Sequence, residues 1–416
     1  MIILCIGQAG CQIGEQIIEQ EAKFNPSSGY YSALFVDVDN KIINVLNESK
    51  VVSKFVKKVN LIKGDSGCLD KFTKKDKTEK FIQNILDHLR DEIIQQNNDC
   101  YIAFVHSLIG STSCSLLKII SEEISERFEN VKIVSFTTLP FKEGESSFQY
   151  YNAMLSLNVL RYFSLCFLIS NDHMLEEVSK MRSSKKSISF SEINQIIASQ
   201  IHMILKTLDR PSQKRRHLSS DRDTIPEKDP KILNAIADFS SFNCLYFMSI
   251  GMVEINNDLG YKKSLTKLSR KCVSYLKLGN QKEKPALHRA LLFCEATDEN
   301  QHILSAFSES FSTRFQVQAK SEETFRVYEN TRGIAGRSQF GSGEKTLCSV
   351  CFQSHHLVRY MTMISEKVQL MLLHNAFVQY YSQRGRKGKK ATANGKHNLE
   401  MEYASFMNHL SMFTSD

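Results

Sequence analysis

Hydrophobic positions along the chain repeat with two different periods. Short continuous apolar runs at Ile2–Ile6, Ala33–Val38, Tyr101–Val105 and Val131–Phe136 are rich in β-formers, as expected of strands buried on both faces of a parallel sheet. Between them, Ile13–Glu21, Phe81–Ile94 and Leu116–Phe128 return apolar residues at every third and fourth position and predict helices. Strand alternating with helix predicts a doubly wound α/β unit, in which ligands sit outside the carboxyl ends of the strands. Ser191–Thr207 is a further helix, with Ile193, Ile196, Ile197, Ile201 and Leu205 on one side, and it stops at Asp209-Arg210-Pro211. The polar, charged stretch Ser212–Pro230 reads as a loop or linker. Strand-like runs return at Cys244–Ile250, Ala290–Cys294 and Leu347–Phe352, and two helical patterns, Leu357–Tyr381 and Leu399–Phe413, close the chain around the basic run Arg384–Lys396.

Composition narrows the class. At 416 residues the chain has room for two or three domains, and 42% apolar residues exclude wholesale disorder. Eleven cysteines, an odd number without regular spacing, suggest reduced thiols in a cytosolic protein. The apolar start lacks a basic leader, and no apolar run approaches the roughly 20 residues of a membrane span, so a soluble chain is expected. The net charge of +8 permits an acidic partner without specifying nucleic acid.

Three loops after successive strands carry candidate nucleotide chemistry. Gly7-Gln8-Ala9-Gly10-Cys11-Gln12-Ile13-Gly14 follows the first strand, where glycines let backbone N–H groups approach a phosphate at a helix N-terminus. Its spacing differs from the Rossmann and Walker loops, and a glycine turn there is as often purely structural. Asp37-Val38-Asp39-Asn40 ends the second strand; such carboxylates orient a metal–phosphate unit or simply cap the next helix. Glu143-Gly144-Glu145, Gln149, Tyr151 and Asn152 follow the fourth.

In that order these motifs resemble the tubulin superfamily. Gly7–Gly14 is similar to its first phosphate loop except at Cys11, and Phe35–Asp39 resembles the second. His106-Ser107-Leu108 stands before the family's glycine signature, and Tyr151–Leu157 resembles the segment after the ribose loop. Ser170-Asn171-Asp172, Phe190 and Asn194 match guanine-contacting positions, and Phe377–Tyr381 resembles the penultimate helix. Leu139–Glu145 with Gln149 is most similar to the delta type. The resemblance implies GTP as ligand with Mg2+ beside it. Gln8, Ala9, Cys11, Gly110, Ser111 and Thr112 would then lie against phosphates, Asp39 near the metal, Gln149 near the ribose, and Asn171, Phe190 and Asn194 around the base. Amides read a purine edge and an aromatic ring stacks on its face; the plainer alternative is that Phe190 is core and the asparagines are caps.

Departures from the family pattern matter as much. Where the glycine signature should stand, the chain reads Ile109-Gly110-Ser111-Thr112-Ser113-Cys114-Ser115, keeping only Gly110 and Thr112. Each lost glycine costs about 1 kcal/mol or more if a left-handed conformation is retained there. The third phosphate loop, Gly64-Asp65-Ser66-Gly67, continues with Cys68-Leu69 where the family prefers amides. Alignment brings Asn234 to the acidic position that activates hydrolysis in a neighbouring subunit, and an amide cannot accept water's proton. The pair Cys348 and Cys351 lacks a second pair to complete a zinc site.

The resemblance implies a tubulin-like α/β fold: a doubly wound parallel sheet, a core helix, a smaller α/β domain and C-terminal helices. The expected boundaries are a nucleotide-binding domain over 1–190, the core helix 191–209, an inserted polar loop 210–230, an intermediate α/β domain 231–355 and a C-terminal helical layer 356–416. The function expected is that of a divergent, delta-like tubulin in the cytoplasm and cytoskeleton, structural in centriole or basal-body microtubules, binding GTP with weak or absent hydrolysis. The rivals are an active GTPase polymer subunit, a pseudo-nucleotide interaction module, and an unrelated α/β nucleotide enzyme. Tubulins or the microtubule wall are the expected partners, with neither nucleic acid nor membrane. Wall-forming tubulins have an acidic loop and tail at the C-terminal end; this chain has Arg384, Arg386, Lys387, Lys389, Lys390 and Lys396, expected as an exposed loop facing acidic tubulin.

Overall fold

The computed structural model describes residues 1–24, 32–50, 52, 59–63, 75–96, 100–141, 144, 146–159, 162–181, 187–208, 245–254, 258–276, 284–287, 289–295, 301–317, 325–330, 345–353, 356–381 and 389–414. Ser212–Pro230, Gly64–Leu69, Asn234 and 384–388 therefore lie outside the described residues.

The N-terminal half alternates strand and helix: β1 (Ile2–Ile6), α1 (Gly7–Phe24), β2 (Ser32–Asp37), α2 (Asn40–Glu48), β3 (Val59–Lys63), α3 (Lys75–Gln95), β4 (Tyr101–Ser107), α4 (Ser111–Arg127), β5 (Lys132–Leu139), α5 (Gln149–Leu157), β6 (Leu165–Ser170), α6 (Asn171–Met181) and α7 (Phe190–Leu208). Then follow β7 (Leu245–Glu254), α8 (Asp258–Leu276), β8 (Ala286–Leu287), β9 (Arg289–Glu295), α9 (Gln301–Ser312), β10 (Gln316–Val317), β11 (Phe325–Asn330), β12 (Lys345–Gln353), α10 (His356–Leu373), a short 3-10 turn Val378–Tyr381 and α11 (Lys389–Thr414). One sheet runs β11-β9-β12-β7-β6-β5-β4-β1-β2-β3. It is parallel from β3 to β7, and β12 is antiparallel to both β7 and β9. Strand order reverses direction between β1 and β4, the crevice where doubly wound sheets take their ligands.

Continuous apolar strands are explained by burial on both faces. Ile2, Leu4 and Ile6 join a core beneath α3, α4, α5, α10 and α11, while Ile3 and Cys5 join a second core beneath α1 and α7. The alternation follows from the two-residue period of a strand, with each face roofed by the helix stripe opposite it. Cys348 and Cys351 fall on opposite faces for the same reason, so the pair cannot close on one metal ion. Cys5, Cys11, Cys100, Cys114, Cys166, Cys272, Cys348 and Cys351 are buried, and among the described residues no helix is long and apolar enough to cross a membrane.

Two C-terminal expectations need correction. The pattern Leu357–Tyr381 is not one helix: α10 ends at Leu373, and Asn375 and Phe377 take φ of 51° and 59°, turning the chain into the 3-10 segment. The basic run Arg384–Lys396 is not a loop throughout. Lys389, Lys390 and Lys396 lie in the first turns of α11, where Lys396 reaches Glu400 at 3.9 Å. Two lysines at a helix N-terminus oppose the macrodipole, so local electrostatics do not explain where α11 starts; packing of Leu399, Phe406 and Leu410 into the core anchors its remainder.

Candidate functional site

Carboxyl ends of β1, β2, β4, β5 and β6 converge with the N-termini of α1, α4 and α7 on a cavity of about 630 Å³, a size that suits a nucleotide. Gly7 makes the turn from β1 directly into α1 with φ 74°, a left-handed conformation natural to glycine. The next residues, Gln8 and Ala9, line the cavity, and Gln12 follows one turn later. Gly10 and Gly14 serve packing instead: a Cβ on Gly10 would strike the Val105 carbonyl, and one on Gly14 the Cys5 sulfur.

Opposite α1, Gly110 is the N-cap of α4 at φ −64°, and Ser111, Thr112 and Ser113 form the first turn. Among the described residues, only Asn375 and Phe377 combine a side chain with positive φ, so the lost glycines of this loop carry no left-handed strain. Ser113 Oγ donates to the Ser107 and Gly110 carbonyls at 2.7 and 2.9 Å, and Gly110 leaves room for it, since a Cβ there would stand 2.9 Å from that oxygen. The first N–H groups of both helices have no partner within their helices and suit an anion.

At the opposite end, Phe190 opens α7 with its ring 60% exposed, meeting Phe141 edge-on at 6.0 Å. Asn194 lies one turn further on and donates to Gln12 Oε1 at 3.4 Å; Asn171 opens α6 on the same wall. An exposed aromatic face beside three amides can stack on a planar base and read its edge.

Two carboxylates complete the wall. Asp39 caps α2 by accepting from the Lys41 N–H at 2.9 Å. Asp37 is only 2% exposed; its Oδ1 accepts from the Val38 N–H and from Thr112 Oγ1, at 2.7 and 3.1 Å, while its buried Oδ2 has no hydrogen-bond partner. Burial raises the Asp37 carboxyl above its ordinary value. An orphaned buried carboxylate oxygen facing a cavity fits a divalent cation, with Asp39 beside it. Sequence reasoning favoured Asp39 over Asp37; the signal was present, because Asp37 directly follows the apolar run Ala33–Val36. Among the described lining residues there is no lysine, arginine or histidine.

Gln8, Ala9, Gly110, Ser111, Thr112, Asn171, Phe190, Asn194 and Asp39 all lie on the cavity wall, and Cys11 and Gln149 do not. The Cys11 side chain points into the core, with its sulfur 3.8 Å from the Cys5 carbonyl, and burial pushes its thiol up. Gln149 is buried at the start of α5, its amide against Gly144. Beneath the cavity, His106 Nε2 pairs with Ser135 and Thr137 hydroxyls at 2.8 and 3.0 Å, and burial lowers the imidazole to about 4, so it is neutral and structural.

The loop from β4 to α4 is held from behind. Ser156 Oγ donates to the Leu108 carbonyl and Asn152 Nδ2 to the Ile109 carbonyl, both at 2.9 Å. Tyr381 Oη donates in turn to Asn152 Oδ1 at 2.9 Å, and Asn398 of α11 holds the Tyr381 carbonyl at 3.0 Å.

Comparison with known proteins agrees with this geometry. Residues 1–179 match the profile described as Tubulin/FtsZ family, GTPase domain. A tubulin delta chain from Macaca fascicularis is 23% identical over 124 residues, covering 30% of this chain and 27% of the relative. A tubulin beta-1 chain from Homo sapiens is 25% identical over 187 residues, 44% of this chain and 41% of the relative. A tubulin gamma chain from Eremothecium gossypii is 25% identical over 185 residues, 44% of this chain and 38% of the relative. This chain thus spans less than half the length of these three relatives. With strand-end loops, helix N-termini and cavity-lining amides in the family's order, residues 1–179 are similar to the GTPase domain of the Tubulin/FtsZ family, and the relatives found are tubulins at low identity.

Proposed function

We propose that the cavity binds a guanine nucleotide and that the protein serves as a structural, delta-like tubulin of centriole or basal-body microtubules, with weak or absent hydrolysis. The observation that carries the reading is how the side chains divide around the cavity: the small residues Ala9, Gly110, Ser111 and Thr112 in the first turns of α1 and α4, and the exposed ring of Phe190 with the amides of Asn171, Asn194 and Gln12. Phe190 stacks on the base, the amides read its edge, and the first turns of α1 and α4 receive the phosphates. Asp37 and Asp39 would hold Mg2+, which when bound supplies the positive charge that the described lining lacks. Weak hydrolysis is expected from the eroded loop Ile109–Ser115, and Asn234, where the family resemblance places the acid that acts on a neighbouring subunit, would leave a neighbour's nucleotide unactivated. Delta-type character rests on Leu139–Glu145 together with the similarity to tubulin delta chains.

The deciding experiment identifies nucleotide in the purified protein and measures turnover with and without αβ-tubulin. Bound guanine nucleotide without stimulated turnover is expected. An empty site would favour a pseudo-nucleotide module, and fast stimulated turnover an active GTPase subunit.

A further inference from the structure

We infer that Ile109 limits the phosphate chain the cavity accepts, favouring a nucleoside diphosphate over the triphosphate; this rests on reading the cavity as a guanine-nucleotide site. The axis of a bound nucleotide follows from residues already placed. Phe190, Asn194 and Gln12 hold the base, and one turn back along α1 Gln8 and Ala9 receive the inner phosphates. The chain then ends where Thr112 meets Asp37, since their 3.1 Å hydrogen bond ties the first turn of α4 to the end of β2.

At that end the wall is poorly suited to a third phosphate. Ile109 lines the cavity directly before the N-cap of α4 and offers only aliphatic surface beside the free N–H groups of the helix. Its backbone is fixed on both sides, the N–H by Ser107 Oγ at 3.4 Å and the carbonyl by Asn152 at 2.9 Å. A β-branched side chain is stiff about χ1, and this one also packs against the core, so it does not readily swing clear. Asp37 and Asp39 stand on the same wall, without a lysine, arginine or histidine among the described lining residues. A terminal phosphate reaching for the N–H groups of α4 meets aliphatic surface first, whereas inner phosphates are served by α1. The discrimination is therefore steric, because the Mg2+ that Asp37 and Asp39 would hold offsets the added charge.

The test is calorimetric titration of GDP and GTP into the nucleotide-stripped full chain with excess magnesium. Wild type should bind GDP about tenfold more tightly than GTP, and Ile109→Gly should move the ratio about tenfold towards GTP. Ile109→Ala, which keeps ordinary helix-boundary propensity if glycine unfolds the loop, should move it part of the way. Equal or GTP-favoured binding by wild type overturns the inference, as does an unmoved ratio in folded Ile109→Ala. Failure of both nucleotides to bind wild type would remove the underlying reading as well, whereas binding without discrimination removes this inference alone.

Discussion

Phe190 and Asp37 are single side chains that gain little from their places in the free protein, one ring left exposed and one carboxyl oxygen buried without a partner. An aromatic ring left 60% exposed gains little for folding, so Phe190→Ala should leave the melting temperature nearly unchanged. It should weaken guanine-nucleotide binding by about 1–3 kcal/mol, the usual worth of a base–aromatic stack, measured with a fluorescent nucleotide. Unchanged affinity would detach the ring from the base. Asp37 is a titration problem. Burial holds its carboxyl above the ordinary value, so the folded state binds its proton more firmly than the unfolded chain does. Stability from this group is therefore present at low pH and declines as pH rises through the folded value. Asp37→Asn keeps the Oδ1 acceptor and drops the charge, and in metal-free buffer it should melt higher than wild type at pH 7, by about 1–2 °C. The gap should close below about pH 4, where both states are protonated. A lower melting temperature at pH 7 would show that the carboxylate is already compensated. Residues on the cavity wall were mostly legible, because they stand directly after apolar strands. Cys11 was not, although it falls on the same helical stripe as Gly14 and Ile18, the stripe that packs against the sheet.

Elements read well where burial on both faces leaves an unbroken apolar run, as in β1, whose predicted and observed limits coincide at Ile2–Ile6. Reading failed where the pattern was mixed. β3, Val59–Lys63, is interrupted by Asn60 and ends in Lys63, and it is not among the predicted strands; nor is β6, Leu165–Ser170. α10 was drawn through to Tyr381 because Asn375 and Phe377 carry no glycine or proline to announce a turn. That turn has consequences, because it places Tyr381 where its hydroxyl supports Asn152 and, through Asn152, the carbonyl of Ile109. Tyr381→Phe removes one donor from a buried acceptor and should cost about 1–2 kcal/mol of stability by denaturant titration. It should also weaken nucleotide binding at a distance, through a less fixed loop between β4 and α4. Full stability with unchanged nucleotide affinity would mean that the contact is incidental.

On the scale of the whole molecule, the two periods of the sequence established a parallel α/β sheet with helices on both faces, while its continuation through β12, β9 and β11 came only from long-range pairing. Such pairing leaves little trace in local pattern. The net charge of +8 belongs to this scale too. We propose that the basic run from Arg384 into α11 meets the acidic surface of neighbouring tubulins. Replacing Arg384, Arg386, Lys387, Lys389, Lys390 and Lys396 by glutamine should weaken co-sedimentation with microtubules several-fold at low ionic strength and flatten its salt dependence. Binding that is unaffected would leave the run as a solubilising feature. One detail of the sheet bears on how such a subunit would deform. Among the described residues β6 and β7 pair over Cys166–Ile169, a shorter seam than those on either side, where β5 follows β6 along its length and β12 follows nearly all of β7. A sheet resists bending in proportion to the length over which neighbouring strands are laced together. Bending strain applied across the sheet is therefore expected to reach β6 and β7 before the crevice between β1 and β4.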